Sequence, residues 1–212
     1  MLVIGDSLSR RLTASLAQIL NDNEGTDLLD SVMDNGEIMG RGGHGHYDWH
    51  VPSGRLQYQW APHAKDVASH VRQADLSDYT DVVVAIGVHD AEHPPASIES
   101  DVRHALDALK ALQRTNVIWR TAPQMDNPHD PKLTAEVNAR LRRLNTIVLN
   151  ADAPHVRGID VATILGPKSI GKERLKGDTY EHFGTIARMV EIQSITHALN
   201  KSAQGKAKRK RA

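Results

Sequence analysis

The sequence predicts an α/β fold, a three-layer α/β/α sandwich in which helices cover both faces of a parallel sheet. Three observations carry that reading. Residues 82–86 read VVVAI, a continuous, β-branched run of the kind that is buried on both faces of a parallel sheet. Strand-like and helix-like segments alternate along most of the chain, as βαβ units require. The chain also opens as strand, tight turn and helix within its first 20 residues.

The elements follow in order. Residues 2–4 are short and apolar and end at Gly5-Asp6-Ser7. Leu8, Leu12, Leu16 and Ile19 or Leu20 then recur at steps of three and four, which makes one apolar helix face. A weaker strand is expected over 27–33. After it comes a glycine- and histidine-rich stretch, MGRGGHGHYDWHVPSG at 39–54, which reads as a long loop. Residues 56–60 (LQYQW) suggest a short extended piece, and 64–76 a helix. After VVVAI a helix is expected over 96–113, with Ile98, Val102, Ala105, Leu109 and Leu112 on one face and Ser97 able to cap it. A strand at 117–120 stops near Pro123, and a helix at 134–149 aligns Val137, Leu141, Leu144 and Val148. A last strand is expected within 156–161 and a final helix over 183–199. One domain spans 1–200, and the basic residues 201–212 read as a disordered tail because nothing in them can be buried.

Composition narrows the functional classes. Of 212 residues, 26 are Lys or Arg and 26 are Asp or Glu, so the formal charge is zero. The tail holds six of the basic residues and no acid, which leaves the first 200 residues at a net −6. A mildly acidic body predicts no stable nucleic-acid complex. There is no cysteine, so disulfides, thiolate catalysis and cysteine-bound zinc are excluded. No apolar run approaches the 18 residues of a membrane span, and no secretory signal is visible at the N-terminus. These features favour a cytoplasmic protein, and Lys208-Arg209-Lys210-Arg211 matches a nuclear-targeting pattern.

In open parallel sheets ligands sit beyond the carboxyl ends of the strands. That singles out Gly5-Asp6-Ser7, Gly87-Val88-His89-Asp90 and the segment ahead of the last helix. Ser7 lies where a strand turns into a helix. Its hydroxyl would project from the sheet edge and its N–H would join the unpaired donors of the first turn. The plainer role for such a serine is to cap the helix. His44, His46 and His50 have spacings that suit imidazole ligation, but no carboxylate pattern accompanies them, and no metal or other cofactor is expected. With Arg41, Tyr47 and Trp49 they instead suggest a polar groove, or simply a polar loop.

Gly5-Asp6-Ser7-Leu8 resembles the first block of the SGNH/GDSL hydrolases, directly after the first strand. Gly87-Val88-His89-Asp90 resembles the third block, and Asp178-Thr-Tyr-Glu-His182 the last, just ahead of the C-terminal helix. The resemblance implies a flavodoxin-like sheet and a serine esterase without cofactor. It implies Ser7 as nucleophile, His182 as general base and then acid, and Asp178 as the carboxylate that orients His182. The oxyanion hole would comprise the Ser7 N–H, a glycine of the long loop (Gly42 or Gly43) and the side chain of His89. Asp6, Arg41 and Asp90 are assigned to substrate binding, with Asp90 also orienting its loop.

Two features depart from the family pattern. Three residues rather than two separate Asp178 from His182, a spacing that brings the side chains together if the segment is helical. His89 replaces the usual asparagine, and an imidazole N–H can donate in its place. Gly-x-His-Asp is similar to the PC-esterase and Cas1p-like branch, whose members handle O-acetyl groups on glycans. The expected substrate is therefore a small-molecule or glycan ester. An O-acetyltransferase using the same acyl-serine and a decayed SGNH-fold binding module remain the alternatives.

Overall fold

The computed structural model describes residues 1–21, 46–51, 54–76, 78–92, 94, 96–125, 129–151, 153–170 and 185–209. In chain order these form β1 (Leu2–Gly5), α1 (Ser7–Asn21), β2 (His46–Val51), β3 (Gly54–Trp60), α2 (Ala64–Gln73), β4 (Asp81–Ala85), α3 (Val88–Glu92), α4 (Ile98–Lys110), β5 (Asn116–Arg120), α5 (Pro131–Leu149), β6 (Val156–Ile159), α6 (Val161–Ile170) and α7 (Thr185–Arg209).

The six strands make one sheet in the order β2-β3-β1-β4-β5-β6. Five are parallel, and β2 joins the edge antiparallel to β3, with Tyr47 opposite Tyr58 and Trp49 opposite Leu56. Counted alone, the parallel strands run 2-1-3-4-5, the flavodoxin-like doubly wound order. The chain leaves β1 toward β3 on one side and continues from β4 on the other. The switch point therefore lies at the carboxyl ends of β1 and β4.

Alternation along each strand divides the core between two faces. Leu2, Ile4, Val82, Val84, Val117 and Trp119 pack against α2, α4 and the end of α5. Val3, Val83 and Ile118 face the other way, against Leu12 and Leu16 of α1 and Ile192 and Ile195 of α7. A third cluster lies toward the carboxyl ends of the strands, where Leu8, Val88 and Ala91 meet Met125, Leu141, Leu165 and Ala187.

Gly5 is required by close approach. A Cβ there would lie 2.4 Å from the Ala85 carbonyl oxygen and 2.1 Å from Ser9 Oγ. A backbone oxygen cannot swing aside, so Gly5→Ala is expected to destabilise the fold by about 1–3 kcal/mol, read as a lower urea midpoint at unchanged slope.

The structure corrects one expectation and adds elements that the sequence did not show. Residues 46–51 are an edge strand rather than loop, since backbone pairing to β3 overrides their polar composition. Val161–Ile170 is helical, with a break at Gly166 (φ 57°) ahead of Pro167 that hides the helical period in the sequence. Val88–Glu92 forms a short helix immediately after Gly87. α7 runs on through Arg209, as Ala203, Gln204, Lys206 and Ala207 are good helix formers propagating an existing helix. The strand expected over 27–33 lies outside the described residues.

Candidate active site

The turn from β1 into α1 is held by its own side chains. Asp6 Oδ1 accepts from the Leu8 N–H at 3.0 Å and the Ser9 N–H at 3.2 Å, so Asp6 is the N-cap of α1. It is 1% exposed. Tyr58, buried on β3, directs its hydroxyl to the Gly5 and Asp6 carbonyl oxygens, each at 2.9 Å. The capping role weighed for Ser7 is thus filled by its neighbour. Ser7 is the first residue of the helix, where helix geometry provides no internal acceptor for its N–H. Asp6, assigned to substrate binding, is a buried carboxylate whose Oδ1 is occupied with the helix end.

The second strand end supplies His89 and Asp90. Gly87 has φ 130°, and a Cβ there would lie 2.9 Å from Ala122 Cβ, so the chain can turn sharply into α3 only with glycine. One helical step then separates the two side chains. His89 is half-buried, whereas Asp90 is 2% exposed. Both Asp90 oxygens are engaged, Oδ1 with His63 Nδ1 at 2.9 Å and Oδ2 with the Ala64 N–H at 2.9 Å. Burial pushes its carboxyl above the ordinary carboxylate range, opposed by the Ala64 and His63 hydrogen bonds. Asp90, like Asp6, is thus an internal group, and its bonds tie the start of α2 to α3.

His63 immediately precedes α2, in extended conformation, and its N–H bonds to Asp66 Oδ2 at 3.3 Å. Its ring stands edge-to-face with that of His89, centroids 6.1 Å apart. Trp60, at the end of β3, makes a second such contact with His89 at 6.2 Å. Three rings thus meet beside the β1 turn. His63, Trp60 and Tyr58 were not singled out by sequence. The one available signal was that LQYQW ends one strand over from Ser7, which only the strand order reveals.

The neighbouring loops are fastened from α5. Asn145 exchanges a pair of hydrogen bonds with the backbone of Ala122, and Asn138 with that of Met125, at 2.8–2.9 Å. Arg140 donates to the Ala91 carbonyl at 2.7 Å and so holds α3.

Gly42, Gly43, Arg41, Asp178 and His182 lie outside the described residues, as does His44. His46 and His50 fall on β2. Among the described residues, the Ser7 turn follows β1 and the His89–Asp90 pair follows the adjacent strand β4. Among the described residues, no helix is long and apolar enough to cross a membrane.

No family model and no curated protein matches this sequence. Solved structures do. A lipolytic G-D-S-L family protein from Veillonella parvula superposes with a TM-score of 0.54 at 14% identity, over 92% of this chain and 95% of that one. A lipase/acylhydrolase from Enterococcus faecalis gives 0.51 at 17% identity, over 96% and 95%. An acetyl-xylooligosaccharide esterase variant from Geobacillus gives 0.51 at 12% identity, over 93% and 92%. The chain has the SGNH hydrolase fold. Ser7 and His89 accordingly stand in this SGNH-type sheet at the ends of β1 and β4, on the two sides of its switch point.

Proposed function

We propose that this chain is a serine esterase that cleaves carboxylic esters through an acyl-serine intermediate. The observation that carries the reading is the position of Ser7. It opens a helix at the switch point of an SGNH-type sheet, and Asp6 has already taken the capping role that would otherwise explain a serine there.

In this reading His182 removes the Ser7 proton as Oγ attacks the ester carbonyl. The tetrahedral oxyanion is held by the Ser7 N–H, by Gly42 or Gly43, and by an N–H of His89. Collapse expels the alcohol, which takes its proton from His182. Water, deprotonated by the same imidazole, then releases the acid and regenerates the serine. Asp178 holds the imidazole tautomer and stabilises its cation. Each oxyanion donor contributes about 10²–10³-fold in such sites.

The proposed substrate is an O-acetyl ester on a carbohydrate. Two features support it: the Gly-x-His-Asp form of the third block, and the likeness in fold to the Geobacillus acetyl-xylooligosaccharide esterase. Arg41 is placed in this reading at the groove that receives the sugar.

A fluorophosphonate probe tests the nucleophile directly. The folded protein is expected to be labelled at one site, located to Ser7 by peptide mass spectrometry, and Ser7→Ala is expected not to react. Labelling elsewhere, or none, would leave an SGNH-fold binding module as the better description.

A further inference from the structure

We propose that His63, locked by Asp90, is a positioning residue that fixes the ring of His89 as an oxyanion donor. This deepens the esterase reading and rests on it for its kinetic test.

A histidine in this role has a requirement that an asparagine does not share to the same degree. Its N–H donors lie on a rigid ring, so one must be aimed by the orientation of the whole ring and by its tautomer. His89 is half-buried on α3, a helix of only five residues, and its own element does little to hold it. Two rings from elsewhere supply the constraint. Trp60 and His63 both meet His89 edge-to-face, at interplanar angles of 68° and 72°.

The His63 ring is itself fixed. Its Nδ1 bonds to Asp90 Oδ1, and the Ala64 N–H holds the other oxygen of the same carboxylate. Asp90 cannot turn without losing both bonds, and His63 cannot turn without losing its own. Since Asp90 follows His89 in the chain, the linkage closes on itself: α3 backbone, carboxylate, His63 ring, His89 ring. It ties the start of α2 to the strand end that carries the donor. A carboxylate-bound histidine at the rim would be superfluous if Asp90 merely capped α2, because the Ala64 N–H alone would satisfy that role.

A double-mutant cycle tests the linkage. Asparagine is a good residue ahead of a helix, so His63→Asn preserves the start of α2 while removing the ring. With a small acetyl ester, His63→Asn and Asp90→Asn are each expected to lower kcat about tenfold, with KM changed less than about twofold, as for a misplaced catalytic group. In a His89→Asn background the same His63→Asn substitution is expected to change kcat by less than about twofold, because the ring it positions is gone. Equal losses in both backgrounds, or a loss confined to KM, would overturn the proposal and make His63 an independent contact. A second measurement needs no activity. In ¹⁵N-resolved imidazole spectra of the full chain, the His89 ring resonances are expected to shift in His63→Asn while those of His155 stay. Unmoved His89 resonances would overturn the positioning role even if the protein proves to be an esterase. If Ser7→Ala retains full turnover, the esterase reading fails, and the spectra still decide whether the linkage exists.

Discussion

Ser7→Ala and His182→Ala are each expected to reduce turnover of a small acetyl ester by roughly 10⁴–10⁶-fold, and the double variant by no more than the worse single one. The non-additivity follows from mechanism. Without the hydroxyl there is nothing for the imidazole to deprotonate, and without the imidazole the hydroxyl stays a poor nucleophile. Ser7→Ala should leave folding intact. The first helical position tolerates alanine, and the cap bonds run from Asp6 to Leu8 and Ser9, past Ser7. An unchanged melting curve with lost turnover is therefore the expected pair of results. Turnover equal to that of the wild type in both variants would end the esterase reading. The same assay with a sugar acceptor added separates hydrolysis from transfer, because a transferase would pass the acetyl group to a sugar hydroxyl in place of water.

The sheet was legible where burial forces a simple pattern. VVVAI lies in the middle of five parallel strands, and residues buried on both faces leave an unbroken apolar run. The helices over 98–110 and 131–149 were visible for the same reason, since each buries one stripe and leaves the remainder in water. β2 was not legible because an edge strand is specified by its partner. Asp48 pairs with Arg55 and accepts from Gln57 at 3.0 Å, contacts that no local window can show. α6 escaped because the Gly166-Pro167 break divides it into pieces too short for a period to register.

The site divides along similar lines. Ser7 and His89 were singled out because short motifs sit at strand ends, and strand ends are where a parallel sheet binds ligands. For Asp6 and Asp90 the sequence offered a substrate contact, and for Asp90 also the orienting of its loop, without showing which way either carboxylate faces. A sequence shows that a carboxylate stands beside a reactive residue, but not whether it faces inward. His63 was invisible because its importance arises from a contact 27 residues away, across the β3–β1–β4 neighbourhood.

The largest effect on stability is expected from a pair that neither the motifs nor the proposed chemistry uses. Arg120, the last residue of β5, forms an ion pair with Glu191 of α7. The two are 1% and 4% exposed. A charge so far from water is tolerable only while its partner remains, and breaking such a pair from one side costs about 3–5 kcal/mol. Glu191→Gln, which keeps the shape and removes the charge, is therefore expected to lower the melting temperature by on the order of 10 °C for a chain of this size. Replacing both residues with methionine should recover most of that loss, because it removes the unpaired charge together with the cost of desolvating two ions. The reverse ranking, with the double variant less stable than Glu191→Gln, would mean that the pair stabilises by attraction and not merely by mutual neutralisation. A change below about 1 kcal/mol in Glu191→Gln would mean that water reaches the guanidinium. The position of the pair gives it weight beyond stability. Glu191 lies nine residues after His182 in sequence, and its bond to the carboxyl end of β5 fixes where α7 rests on the sheet. A protein that retains its fold but loses this anchor is expected to lose turnover well below its melting temperature, since in the proposed reading the chain enters α7 directly from the segment that carries the catalytic base.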